Sequence, residues 1–401
     1  MHIAHLSLTN LRNYTRLELD LQPRIHIFQG ENAQGKTNLL EAIYYLATTK
    51  SPLASSDRQL IHWAAGEVDP VSQVIPYAHA GVRFVRAGEE HTLEATLVLE
   101  PAGEGEAKTL SLRRQLLLDG VPRRALDIVG ALNAVLFLPQ DVTLVAGPPV
   151  ERRRYLDVTL CQVDAVYCRT LSRYNRVITQ RNALLRRLRE RQAGIAELDY
   201  WDEQLAKLGA YVLAKRCWVV GELGREAARI QAALTGGGEH LELGYRNTAI
   251  ERSGEGDALL AEAEHERRFR QALRAARGEE IARGMTVIGP HRDDVHFLLN
   301  GIDATIFGSR GQQRTIALAL KLAEVSLIEE QTSEKPVLLL DDVISELDQQ
   351  RCELLFEAIA RVDQVLITTT HLTHYAADLL SSAILWRIAA GAIIPLAHHR
   401  P

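Results

Sequence analysis

Residues 24–49 read RIHIFQGENAQGKTNLLEAIYYLATT, and this stretch decides the fold. The run Arg24 to Gln29 is apolar enough for a strand and ends at a glycine, while Asn38 to Thr49 has helical periodicity. Between them stands Gly30-Glu31-Asn32-Ala33-Gln34-Gly35-Lys36-Thr37, a full G-x-x-x-x-G-K-T after a strand and before a helix. That is the context a phosphate-binding loop requires. Its glycines let backbone N–H groups wrap phosphates, and the following helix aims its positive end at them. Lys36 reaches the β and γ oxygens, and the Thr37 hydroxyl helps to hold Mg²⁺.

Working outward, Val337-Leu338-Leu339-Leu340-Asp341-Asp342 is a buried-type strand that delivers two adjacent acids to its end. Beside a phosphate loop the first acid, Asp341, holds Mg²⁺ directly or through water. The second, Asp342, is placed to accept a proton from the attacking water. Alone, such a segment would more often be a strand ending in a solvated turn. Lys36 and Asp341 are 305 residues apart although both must reach one nucleotide, so the intervening chain is largely an insertion.

The insertion has two textures. Between Ala80 and Leu118 alternating segments and turn residues come at close intervals, the pattern of an antiparallel β subdomain. From about Pro149 glycine and proline become rare until Gly236-Gly237-Gly238, and heptad-like runs (Leu171, Tyr174, Ile178, Leu185, Leu188; then Trp201, Leu205, Leu208, Val212, Val219) predict an antiparallel helix pair. A helix through Arg277 and strands around MTVIG and VHFLLNG follow. The chain has a formal net charge of −5, yet Glu151 to Thr235 contains 16 Lys/Arg against 10 Asp/Glu, so basic charge is concentrated in the helical part. Any nucleic-acid contact must come from a local patch. Arg169, Arg173, Arg176, Arg181, Arg186, Arg187, Arg189 and Arg191 form the candidate, with Arg173, Arg176 and Arg187 as the residues to test; a solvated helix face is the plain alternative. The triplet Arg152-Arg153-Arg154 is better read as pairing with acidic neighbours.

With 401 residues, 46% hydrophobic and 24% charged, the chain has apolar material for about two to three domains, which excludes wholesale disorder. Four cysteines without C-x-x-C spacing point to a reducing compartment and exclude a disulfide scaffold. The N-terminal segment lacks the pattern of a signal peptide, and no apolar run is long enough to span a bilayer. The expectation is a cytoplasmic protein with no membrane partner.

Further motifs fall in a fixed order. Ser309-Arg310-Gly311-Gln312-Gln313-Arg314 opens an alanine- and leucine-rich helix before the acidic strand; Asp348 follows Asp342 in Ser345-Glu346-Leu347-Asp348; His371 stands beyond the strand VLITTT. This order resembles the ABC ATPase family: Walker A, signature loop, Walker B, D-loop and H-loop. The resemblance implies ATP and Mg²⁺ as cofactors. It also implies that Ser309, Gly311 and Gln312 cap the nucleotide held by an opposite subunit, with Asp348 in the D-loop and His371 contacting the γ-phosphate and orienting the water. Within that superfamily, Leu8 to Tyr14, Phe137 to Asp141, Pro148 to Asp157, Gly289 to Asp294 and the SRGQQRT loop are similar to the RecF family of bacterial recombination and repair ATPases, related to the heads of SMC proteins.

This resemblance covers essentially the whole chain. It implies that Asn10 and Arg12 sit beside the nucleotide and that Gln140 occupies the Q-loop, near metal and water. The signature reads S-R-G-Q-Q where S-G-G-Q is the pattern, so Arg310 adds a charge. The architecture implied is a P-loop ABC-type ATPase head, a mixed sheet with flanking helices plus an antiparallel β subdomain, with an inserted α-helical arm. The divisions expected are 1–150 for the first part of the head, 151–238 for the arm and 239–401 for the second part. The arm is too short for an SMC coiled coil. The implied function is an ATP-driven homodimer that clamps DNA, at single-stranded, duplex or junction sites, in recombinational repair, replication and the SOS response, with slow hydrolysis. The implied partners are RecO- and RecR-type mediators. Two rivals are an ATPase subunit of a membrane importer, which keeps its two Walker motifs much closer together, and an ATP-binding scaffold without turnover.

Overall fold

The structure, a computed structural model, describes residues 1–66, 76–102, 109–251, 261–347 and 349–396. The strands in chain order are β1 (His2–Leu11), β2 (Tyr14–Asp20), β3 (Ile25–Gln29), β4 (Tyr77–Arg86), β5 (Glu89–Ala102), β6 (Thr109–Leu118), β7 (Val121–Pro122), β8 (Ala134–Phe137), β9 (Leu241–Arg246), β10 (Asp294–Leu299), β11 (Ile302–Asp303), β12 (Val337–Asp341), β13 (Val365–Thr369), β14 (Ile384–Ala389) and β15 (Ala392–Pro395). The chain divides into two compact units, Met1–Gln140 with Ile328–Pro401, and Asp141–Leu327.

The first unit holds two six-stranded sheets. One is ordered β15-β14-β3-β13-β12-β8 and is parallel except for β15. Its interior strands β12 (VLLLD) and β13 (VLITT) are buried at every residue, as continuous apolar runs are when both faces of a parallel sheet are covered. The other, β2-β1-β4-β5-β6-β7, is antiparallel and contains the expected β subdomain. The helix Lys36–Thr48 contacts both sheets. It shares one hydrophobic core with them, in which Leu40 and Ile43 of the helix join Phe84 and Leu97 of one sheet and Leu339 of the other. Buried Gln364 ties the chain's two ends together: its amide donates to the carbonyls of Ile3 and Gln22, and its Oε1 accepts from Ile3 N.

The second unit is built on the expected antiparallel helix pair, Ala165–Arg189 and Glu197–Leu234. Ion pairs set its direction, joining Arg181 to Asp202 at one end and Asp164 to Lys215 at the other. The pair is not a free arm of residues 151–238. Helix Glu262–Arg283 lies against both members, so closely that a Cβ on Gly209 would stand 2.4 Å from Phe269 Cε1. Strand β9 contacts the second helix and pairs with β10. Residues 239–327, expected in the head, therefore belong to this unit, because the helix pair has apolar and charged faces that they cover. The expected strand at MTVIG is irregular, since side chains take its backbone groups: Thr286 N donates to Asn182, Val287 N to Glu280 and Gly289 N to Thr248. Among the described residues no helix is long and apolar enough to cross a membrane.

Candidate nucleotide site

Parallel strands β3, β13, β12 and β8 place all their C-terminal ends on one sheet edge, which is where ligands bind in open α/β sheets. The phosphate loop follows β3, His371 follows β13, Asp342 follows β12 and Gln140 follows β8. Residues scattered over the sequence thus share one edge because neighbouring strands carry them.

The loop is held from several sides. Gly30 N donates to Thr369 O at 3.1 Å, and a Cβ on Gly30 would stand 2.6 Å from Ile388 O, so only glycine fits. Gly35 has φ +112°, a left-handed conformation, directly before the helix. Asn13 Nδ2 donates to Gln34 O at 2.9 Å, Asn38 Nδ2 donates to Asn13 Oδ1 at 2.8 Å, and Tyr14 OH donates to Gly35 O at 2.9 Å. From the β14–β15 turn, Gly391 N donates to Gln34 O and Ala390 N to Gln34 Oε1. Glu31, Asn32 and Ala33 form the exposed crest.

Lys36 is buried, and its ammonium donates to Gly30 O at 2.6 Å and Glu31 O at 3.1 Å. Burial lowers its pKa, while Asp342 and Asp341 pull the other way, so the cation sits among oxygens that favour it. Thr37 Oγ1 donates to Asp341 Oδ2 at 2.7 Å, and Thr368 Oγ1 donates to Asp341 Oδ1 at 2.7 Å. Burial raises the Asp341 pKa, with the neighbouring Asp342 carboxylate adding to it, against those two hydroxyl contacts and the Lys36 ammonium. Asp342 adopts φ +50°, and its Oδ1 is buried without a hydrogen-bond partner. An unmet buried acceptor costs about 1–3 kcal/mol, and strained backbone of this kind clusters at functional sites. His371 is exposed, and its N–H donates to Thr369 Oγ1 at 3.3 Å; Gln140 is exposed too. Asp348 lies outside the described residues.

Among the described residues neither Asn10 nor Arg12 hydrogen-bonds the loop. Arg12 instead grips the buried Glu41 of the loop's helix with two bonds, at 2.7 and 2.8 Å, and donates a third to Gln59 O. The residues that do hold the loop, Asn13, Tyr14, Asn38, Ala390 and Gly391, escaped sequence reasoning. The available signal was Asn13-Tyr14 next to Arg12, and a glycine between two short strand-like segments near the C-terminus.

The second unit carries the signature loop. Ser309 and Gln312 exchange bonds, Gln312 N to Ser309 Oγ at 3.2 Å and Ser309 N to Gln312 Oε1 at 2.9 Å, a capping box at the start of helix Arg310–Thr332. Gln312 Nε2 also donates to Glu239 at 2.9 Å. Ser309, Arg310 and Gly311 are exposed.

Of the arginine run, Arg169, Arg173, Arg176, Arg186, Arg187, Arg189 and Arg191 are exposed. Arg181 is not a phosphate ligand. It is fully enclosed, bonded to Asp202 at 2.9 Å, Glu280 at 2.6 Å and Thr286 at 2.8 Å. Arg152 and Arg153 pair internally, with Asp294 and the Asp293 carbonyl. The motif Gly289 to Asp294 is likewise interior apart from exposed Arg292: Tyr174 OH bonds His291 Nδ1 at 2.8 Å, and Asp293 accepts from Tyr245 and Thr248.

The profile of the RecF/RecN/SMC N terminal domain family matches residues 2–381. The chain is 43% identical to the DNA replication and repair protein RecF of Chloroflexus aurantiacus, over 98% of this chain and 99% of that one. It is 44% identical to the RecF of Herpetosiphon aurantiacus, over 98% and 100%. A solved structure of the recombination mediator protein RecF with ATP, in the RecFOR pathway, superposes with a TM-score of 0.85 at 29% identity, covering 99% of this chain and 98% of that one. An SMC head bound to the C-terminal winged-helix domain of ScpA gives 0.51 at 15% identity, covering 99% and 98%, a likeness of fold alone.

Proposed function

The chain belongs to the RecF/RecN/SMC N-terminal domain family, on its RecF branch, and from that premise we propose an ATP-operated DNA-binding protein of replication and recombinational repair. The observation that carries the proposal is the hydrogen bond from Thr37 to Asp341, which joins the two halves of a nucleotide site 304 positions apart in sequence and leaves Asp342 Oδ1 unmet beside it.

In this reading the loop's N–H groups and Lys36 hold the phosphates. Thr37 and Asp341 are hard oxygen donors of the type Mg²⁺ takes, with Gln140 completing that side; the ion, when bound, screens phosphate charge. Asp342 takes the proton of the attacking water, and His371 fixes that water against the γ-phosphate. Arg12 positions rather than binds: through Glu41 it anchors the turn from which Asn13 holds the loop. The head is Met1–Gln140 with Ile328–Pro401, and Asp141–Leu327 is the insertion. Ser309, Gly311 and Gln312 meet the nucleotide of a second copy, with Asp348 alongside, so ATP closes a homodimer. DNA is held on that dimer, in the cytoplasm, where four free cysteines are at home. RecO- and RecR-type proteins are the partners that family membership suggests.

Two variants test the site. Lys36→Met should abolish ATP binding with the far-UV circular dichroism unchanged. Asp342→Asn should bind ATP, lose turnover and accumulate a dimer by sedimentation. Normal hydrolysis by either variant would refute the assignment; binding without turnover by the wild type, with or without DNA, would mark a scaffold.

A further inference from the structure

Strand β13 ends at Thr369, and the chain then runs past His371 into a short turn, Leu372–His374, that closes on Tyr375. Tyr375 N donates to Leu372 O at 3.2 Å. The two ends of this loop differ: His371 is exposed, whereas Tyr375 is only 7% exposed. The phenol ring lies 6.5 Å from the ring of Phe356, on the helix Gln349–Ile359. Its hydroxyl is enclosed and has no hydrogen-bond partner among the described residues. Thr369 stands beside it, but Thr369 Oγ1 is engaged by His371, accepting from its N–H at 3.3 Å and donating to its carbonyl at 3.0 Å. Burial pushes the phenol's pKa up to about 12; the Thr369 hydroxyl lowers it and the Asp342 charge raises it, so the phenol is within electrostatic reach of that acid. At neutral pH it keeps its proton and is a donor.

A buried hydroxyl without a partner costs free energy that a phenylalanine of the same shape would not. Asp342 carries the complementary defect: its Oδ1 is enclosed and unmet, in a residue that is otherwise half-buried, so Oδ2 is the oxygen open to water. The orphan donor and the orphan acceptor stand at the ends of β13 and β12, neighbours in the sheet, where Asp342 N donates to Thr368 O at 3.1 Å. One bond joining them in the nucleotide-bound state accounts for both. We infer that Tyr375 is a positioning residue for hydrolysis: its hydroxyl donates to Asp342 Oδ1, directly or through one water, and holds Oδ2 toward the attacking water. The inference rests on the reading of Asp342 as proton acceptor proposed above, and adds the group that aims it. The water's proton goes to Oδ2 and Tyr375 keeps its own, so no ionised phenol is required. Because Tyr375 also closes the loop that begins at His371, one side chain ties the aim of the acid to the residue that fixes the water.

The test is steady-state phosphate release by the full chain with ATP and Mg²⁺, with and without DNA, comparing wild type with Tyr375→Phe. The variant's kcat should fall at least about tenfold, the worth of one hydrogen bond to a charged group, while KM and the affinity for a non-hydrolysable ATP analogue stay at wild-type values. Its melting temperature without nucleotide should not fall, since the hydroxyl removed has no partner there. Single-turnover measurements on Asp342→Asn, alone and combined with Tyr375→Phe, supply a second readout: a tyrosine that acts through the acid leaves the double variant no slower than Asp342→Asn. A wild-type kcat in Tyr375→Phe would overturn the inference while leaving the role of Asp342 standing. So would a loss of turnover that multiplies with that of Asp342→Asn, or one accompanied by a lower melting temperature, either of which would mark a hydroxyl with a structural role only. A wild type without turnover would refute the hydrolysis reading, and this inference with it.

Discussion

Replacing Arg173, Arg176 and Arg187 together by alanine should take phosphate partners away from the first long helix of the inserted unit without disturbing its fold. All three are exposed; Arg173 and Arg176 make no ion pair among the described residues, and Arg187 donates only a 3.4 Å bond to Gln192 O. At about 100° and 1.5 Å per residue they fall within roughly 60° of one another and span about 21 Å, the rise of about six base pairs of duplex. Every arginine–phosphate pair removed lowers the magnitude of the log K against log salt slope by about 0.9 on duplex DNA or 0.7 on a single strand, so the triple variant should lose about 2.7 or 2.1. Between about 50 and 200 mM salt the advantage of wild type over the variant on duplex should then shrink about 40-fold. Fluorescence anisotropy titrations on both DNA forms at four or five salt concentrations measure this, with ATP binding and melting temperature as controls. An unchanged slope, with DNA binding abolished in Lys36→Met, would refute the reasoning and move the DNA site onto the ATP-closed heads.

Arg181→Met leaves Asp202 and Glu280 buried without their cation, a loss of about 3–5 kcal/mol, and for a unit of this size a melting temperature lower by roughly 6–20 °C; calorimetry showing wild-type melting would refute the structural role, and the salt slope should not move. Burial, first, pushes the pKa of His291 from 6.5 down to about 3, so the unfolded chain takes up a proton that the folded one refuses. The stability this residue confers is complete above pH 6.5 and is lost as pH falls toward 3, at about 1.4 kcal/mol per unit. His291→Gln should therefore lose about 2 kcal/mol less than wild type between pH 7 and 5 in urea titrations, and parallel pH profiles would count against it.

What the sequence made legible follows the range of the forces involved. The phosphate loop and the acidic strand are local patterns, each complete within a few residues, and their placement on one sheet edge follows from a parallel sheet. The helix pair was legible because apolar periodicity is local as well. The cover on that pair was not, since nothing in the run of arginines distinguishes Arg181, whose carboxylate Glu280 lies about a hundred positions away, from Arg173 in solvent. Arg12 shows the same limit: nothing in its motif announces the two bonds that tie its guanidinium to Glu41 of the loop's helix. The loop's braces at Ala390 and Gly391 are beyond any local signal, because a hairpin turn announces its shape and not what it leans on.

Strand β3 lies between β13 and β14, so that Gln29 is paired with Thr369 and Phe28 with Trp386. On the ribosome this imposes a wait. At about 5–20 residues per second, some 340 residues must emerge after β3 before its first neighbour arrives, a delay of roughly 17–70 seconds. During that time the antiparallel strands up to β7 can form hairpins from their own neighbours, while the apolar segment IHIFQ and the loop behind it have no edge to join. Nascent chains should thus present an unpaired, aggregation-prone strand for most of their synthesis, and the ability to bind nucleotide should appear only when the last hundred residues are free of the exit tunnel.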